Sequence, residues 1–311
     1  MRGLGLLLGL IGVMAPDGAV AATEIGSSGV LPWWGWSALL FVACLLIGVL
    51  GVLGGVGGGV LFVAFVGGFF PFHLDFVRGA GLLVALAGAL AAGPGLLRAG
   101  LADLRLALPT ALIASAAAVI GAMIGLALPA ELVQTALGVA ILAIVLVMLR
   151  ARKLDYPRVE RTDALAAMLR IAGVYREASG GRDVWWKVHR TGKGLVMFVG
   201  VGLMAGMFGL GAGWANVPVL NLVMGAPLKV SVATSKFLLS ITDTAAAWVY
   251  INRGAILIPV VVPSIIGVML GSLVGVRLLT QFDPSVIRLI VIAMLTFAGI
   301  RTVLKGTGIW V

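Results

Sequence analysis

Charged side chains are scarce in this sequence, at 11% of its 311 residues, where an ordinary soluble domain has about a quarter. Cysteine occurs once, at Cys44, so no disulfide framework can form. Histidine occurs twice. His73 and Asp75 stand together in FPFHLDFVRG, but two such residues do not make a metal site, and no zinc spacing, phosphate-binding glycine loop or nucleophile–base arrangement is present. Aromatic residues make up only 7% and do not interleave with a basic stripe, so the net charge of +10 is not the footprint of nucleic-acid binding. These absences set aside most soluble enzymes, nucleic-acid binders and secreted disulfide scaffolds. No cofactor is expected.

What fills the space is apolar. Hydrophobic residues reach 61%, and the mean hydropathy is +1.16. Uncharged runs occupy about 36–70, 79–97, 106–128, 132–149, 194–224, 255–276 and 289–300, and a further run at 230–251 contains two charges. Crossing a hydrocarbon core takes roughly 20 helical residues, so the chain reads as an all-α polytopic protein of the lipid bilayer. Residues 1–22 follow the order of a cleavable signal peptide, with Arg2, a short apolar stretch and a small-residue tail at Ala19–Ala22. An uncleaved interfacial helix is the other reading. Trp33, Trp34 and Trp36 then supply headgroup-level anchors.

Two runs, 36–70 and 194–224, are too long for one span and hold glycine clusters. The first contains Gly55, Gly57, Gly58 and Gly59; the second contains Gly209, Gly211 and Gly213, followed by Trp214, Asn216 and Pro218. Glycine costs about 1 kcal/mol relative to alanine inside a helix, and proline about 3 kcal/mol. Such clustering implies a break or a close backbone crossing, and at Gly57 and Gly211 it predicts no room for a Cβ branch. A shift of 154 residues superposes the clusters, placing Gly55, Gly57 and Gly59 on Gly209, Gly211 and Gly213. It also brings Gly100 onto Gly254 and Pro109 onto Pro263. The chain thus divides into a membrane repeat at 34–150, a basic segment at 151–193 and a second repeat at 194–306.

Residues 150–193 carry eleven of the 22 Lys and Arg residues, which the positive-inside rule assigns to the cytoplasm. This stretch otherwise reads as a solvated linker, with His189 at its surface. If each glycine-broken segment enters and returns, Arg98, Arg105, Lys229 and Arg277 fall on that same side. Each half then adds an odd number of crossings, so the repeats are inverted. Inverted repeats with broken helices are a construction of secondary transporters.

One helix carries charge deep in its apolar run. Lys236, Ser240 and Asp243 are spaced i, i+4, i+7 and share a face, with about 10 Å of helical rise between the lysine and the aspartate. Intramembrane ionisable residues are costly against lipid and usually face a cavity or a path. Thr234, Ser235 and Thr242 add hydroxyls nearby. The plainer alternative is a snorkelling lysine and an aspartate bonded to a neighbouring amide. The glycine breaks supply helix starts whose free N–H groups attract anions, or else small-residue helix packing.

The stretch GLGAGWANVPVLNLVMGAPLKVSVATSKF, with a matching glycine cluster in the first half, resembles the TauE/SafE sulfite exporter family. The resemblance covers about 36–150 and 194–306. It implies export of sulfite, sulfonates or related small anions, with Gly55, Gly57, Gly58, Gly59, Gly209, Gly211, Gly213, Pro218, Thr234 and Ser235 at the substrate site. Ala64 stands where the second half has Pro218, and Ala80-Gly81 where it has Thr234-Ser235, which predicts an asymmetric site. The expected protein is a secondary transporter of a bacterial inner membrane for a small anionic substrate. Lys236 is the counter-ion in this reading, Asp243 a proton site, and Trp214, Asn216 and Ser240 flank them. A cation transporter, or a membrane scaffold, are the alternatives.

Overall fold

The computed structural model describes residues 33–53, 57–70, 72–98, 100–150, 159, 161–176, 183–278 and 284–308. The leader-like segment and Gly55 lie outside these residues. The first half contains α1 (Trp33–Leu53), α2 (Gly58–Phe69), α3 (Leu74–Arg98), α4 (Leu104–Ala127) and α5 (Ala130–Arg150). The second half contains α7 (Thr191–Phe208), α8 (Gly213–Pro218) with a π-helical turn at Val219–Val223, α9 (Leu228–Asn252), α10 (Ile258–Leu278) and α11 (Pro284–Gly306). Among the described residues seven helices are long and apolar enough to cross a membrane. The 25-residue α9, with its polar residues, is not one of them. The molecule is an all-α, multi-pass membrane protein.

The 154-residue shift reappears in the helix starts. Leu74, Leu104 and Ala130 map exactly onto Leu228, Ile258 and Pro284, and Gly58 maps to within one residue of Gly213. Gly100 and Gly254, before the equivalent helices, share the left-handed turn conformation with φ of +67° and +69°. Pro109 and Pro263 each sit at the sixth residue of their helix, close enough to its start that the missing N–H costs little of the helix ladder.

Both broken segments turn back. In the first half Trp36, near the start of α1, meets Phe70 at the end of α2 with ring centroids 5.8 Å apart. At the opposite end of this hairpin the Gly57 N–H donates to the Gly51 carbonyl. In the second half the His189 N–H, two residues before α7, donates to the Met224 carbonyl after the π turn at 2.9 Å. The helices then pack across the halves reciprocally. α1 runs parallel to α10, with Gly267 against Phe41 and Gly271 against Leu45; α4 runs parallel to α7, with Gly202 against Ala114 and Gly206 against Ala118. A Cβ on Gly206 would stand 1.9 Å from the Ala118 carbonyl oxygen, so the close backbone contact requires glycine. α3 and α9 form a central antiparallel pair, joined by Arg78–Tyr250 at one end and by Ala85, Ala89 and Leu239 further along. α5 and α11 pack antiparallel through Gly138 and Gly299.

The 151–193 segment is more than a linker. It folds a short helix α6 (Ala164–Met168) and an antiparallel hairpin of β1 (Ala172–Arg176) and β2 (Asp183–Lys187). Trp186 lies over Gly173 and is buried beside Ala166, Ile171 and Val188. Asp163 accepts hydrogen bonds from the Thr191 N–H and hydroxyl, tying this unit to the start of α7. His189 is half-buried rather than a surface residue, with Nδ1 near Gly225.

Candidate functional site

The two glycine breaks converge on one narrow cleft between α1, α2, α3, α9 and α10. Gly57, Gly58 and Gly59 line it from the first break, Leu210 and Gly213 from the second, and Lys236 from α9. Its empty space is about 360 Å³ counted to the mouth, but the enclosed part has room for only about one water. Among the described residues Lys236 is the single charged side chain in its wall, and Ser272 of α10 adds a hydroxyl. A cleft with one cation, one hydroxyl and the start of a 12-residue helix, α2, offers positive potential and donors but no carboxylate. That chemistry suits a small anion.

The glycines differ in what they do. Gly57 caps α2 with φ 91° and ψ 147°, a region essentially confined to glycine. A Cβ there would meet nothing within 4 Å, so the expected crowding at Gly57 is absent and the backbone angle alone demands glycine. At Gly211 both reasons apply. Its φ is +69°, and a Cβ would stand 2.8 Å from both the Ala85 Cβ and the Asp243 carboxylate. Gly59 is wedged between Ala85 and the Leu210 carbonyl, and Gly209 packs on the Arg78 backbone.

Asp243 is fully buried, and neither carboxylate oxygen has a hydrogen-bond partner; the Ala212 amide, beside Gly211, is the backbone group that acts on it. Lys236 and Asp243 are not within 4.0 Å of each other: among the described residues the ion pairs are His73–Asp75 and Arg78–Asp75. The cleft lies at the lysine end of this stretch of α9 and Gly211 of the second glycine break at the aspartate end.

Other predicted residues play different parts. Thr234 Oγ1 accepts from the Asp103 N–H at 3.1 Å, fastening α9 to the α3–α4 turn, and does not line the cleft. Ser235 is buried nearby. Ser240 Oγ donates to the Phe237 carbonyl of its own helix. Pro218 ends α8 and introduces the π turn. Asn216 is fully buried with both side-chain polar atoms unpartnered, as are Trp214 Nε1 and Thr242 Oγ1.

Two residues escaped the sequence reading. Ser272 is a small polar residue in an apolar run and carries no signal of its own. Arg78 is buried to 1% exposure. Its Nη1 donates to the Gly125 and Met207 carbonyls, each at 3.0 Å, and its Nη2 to Asp75. The only hint was an Asp–Arg pair at i, i+3 one turn inside a membrane helix.

Comparison with known proteins adds one match. The family model described as "Sulfite exporter TauE/SafE" matches residues 40–302. No curated protein matches, and no solved structure matches.

Proposed function

The chain belongs to the TauE/SafE sulfite exporter family, a family of membrane transporters, and from that membership we propose that it exports small sulfur-containing or organic anions of the sulfite and sulfonate class across a bacterial inner membrane. In this reading the halves are inverted repeats, and the 150–193 segment is cytoplasmic. The observation that carries the proposal is the shared cleft: glycines from both breaks and the lone Lys236 line one space. Lys236 is the counter-ion, with the backbone N–H groups of Gly58 and Gly59 and the Ser272 hydroxyl as donors. The enclosed part is too small for sulfite, so loading requires the cleft to widen, as an alternating-access carrier must.

Asp243 supports a second reading. A buried carboxylate with no close hydrogen bond beyond the influence of the Ala212 amide suits a proton or a small cation, so this residue serves as the coupling site in the anion reading and as the substrate ligand in a cation reading. Uptake of labelled sulfite, sulfoacetate and divalent metal ions into proteoliposomes separates these. Saturable flux of sulfite or sulfoacetate is expected. Metal flux alone would assign the protein to cations, and no flux of any would overturn the transport of this class.

A further inference from the structure

We infer that Arg78 and Tyr250 form a one-sided latch that closes the end of the bundle remote from the 150–193 segment, and that this latch must part for the cleft to reach that end. The inference rests on the transport reading. Four helices meet at the latch, two from each half. Arg78 of α3 bonds the Gly125 carbonyl near the end of α4 and the Met207 carbonyl near the end of α7, and its guanidinium lies 5.8 Å from the Tyr250 ring of α9. Tyr250 is fully buried, and its hydroxyl donates to the Gly206 carbonyl at 2.9 Å and approaches that of Met207 at 3.3 Å.

These carbonyls fall in the last four residues of their helices, which lack intrahelical partners and carry the negative end of the helix dipole. A buried guanidinium answers both needs at once. It does so across the boundary between the halves, because Arg78 and Gly125 belong to the first half and Met207 and Tyr250 to the second. The second glycine break rests on the same point, since a Cβ on Gly209 would stand 2.3 Å from the Arg78 carbonyl oxygen.

The cleft lies on the other side of this layer. Along α3 its lining residues Ala85 and Ala89 are seven and eleven positions beyond Arg78, about 10–17 Å at the helical rise. Along α9, Lys236 and Leu239 are similarly displaced from Tyr250 toward the 150–193 end. The residues of the device are not repeated at the positions equivalent by sequence. The 154-residue shift takes Arg78 to Val232, Asp75 to Lys229 and Tyr250 to Leu96. A buried, multiply bonded ion is costly to break and costly to leave half-made, which suits an element with two discrete arrangements.

The test is access to the cleft rather than flux. Ser272→Cys on a Cys44→Ala background, in uniformly oriented vesicles, is challenged with a membrane-impermeant thiol reagent from either side. With the latch intact, labelling is expected only from the 150–193 side. Arg78→Gln should open labelling from the remote side. Tyr250→Phe, which keeps the ring and deletes two hydrogen bonds, should raise it to a smaller extent. If Arg78→Gln fails to fold, Tyr250→Phe decides. Unchanged remote-side labelling in the folded variants would overturn the latch, as would free labelling from that side in the parent. No substrate is needed for this readout, so absence of sulfite flux with a latch-dependent change in labelling would sink the anion assignment and leave the latch standing.

Discussion

The two halves share one order of helices, with matching turns at Gly100 and Gly254 and matching helix prolines at Pro109 and Pro263, yet their polar residues barely overlap. Lys236, Ser240 and Asp243 of α9 correspond under the 154-residue shift to Leu82, Leu86 and Ala89 of α3, while Trp214 and Asn216 correspond to Val60 and Phe62. In the other direction, Arg78 corresponds to Val232. The duplicated features are those of backbone geometry: left-handed glycines, helix breaks and close crossings. Side-chain chemistry is held in single copy. The site proposed above would take helix-start amides from the first half and charge from the second, and among the described residues a buried arginine, Arg78, stands at only one end of the bundle.

That comparison can be broken outright by topology. The turns at Gly100–Asp103 and Gly254–Leu257 are equivalent under the shift, so inverted halves put them on opposite faces of the membrane and parallel halves put them on the same face. Ala102→Cys and Asn252→Cys, each on a Cys44→Ala background, should separate completely in intact cells. An impermeant thiol reagent is expected to label position 252 and to reach position 102 only after permeabilisation. Labelling of both, or of neither, before permeabilisation would end the inverted reading.

A second, smaller effect sharpens the division of chemistry. Lys236→Met keeps the apolar stem and removes the charge. A hydrogen bond to a charged group is worth about 1.5–3 kcal/mol, so sulfite affinity of the purified protein should fall about 10- to 100-fold, with expression near the parent level. Leu82→Met, at the equivalent place in the first half, should leave affinity alone. A parental affinity in Lys236→Met would return that residue to snorkelling.

Much of this architecture was legible in the residues. The apolar runs gave the membrane helices, and the Gly100/Gly254 and Pro109/Pro263 pairs mark junctions that the fold places at matching positions. The glycine clusters announced two breaks that do meet at one cleft. What stayed hidden depends on partners remote in sequence. Arg78 sits one turn inside α3, where an arginine ordinarily reads as interfacial, and only the arrival of the α4 and α7 ends buries it. The paired strands β1 and β2 lie in a charged stretch, and an apolar contact that holds them, Trp186 over Gly173, crosses from one short strand to the other. Gly57 was read as a crowded position because spacing alone cannot separate a steric demand from a demand on φ.

That last distinction yields the finest test. Gly57→Ala and Gly211→Ala both place a Cβ on left-handed backbone, for which a cost of about 1–3 kcal/mol is expected. Only at Gly211 does the new carbon also meet a neighbour, with the Ala85 Cβ at 2.8 Å. Ala85→Gly removes that neighbour, at an intrinsic helix cost of about 1 kcal/mol. In a double-mutant cycle, Ala85→Gly should therefore offset part of the loss in Gly211→Ala, with a coupling of about 0.5–3 kcal/mol for residues in contact. The same change should add independently to Gly57→Ala. Thermal unfolding in detergent, read for the six proteins of the two cycles, checks both statements. Equal coupling in the two cycles would mean that the breaks are crowded alike. Zero coupling in both would mean that the Ala85 contact yields without cost, leaving the backbone angle and the Asp243 carboxylate, also 2.8 Å from the new carbon, as the demands for glycine at 211.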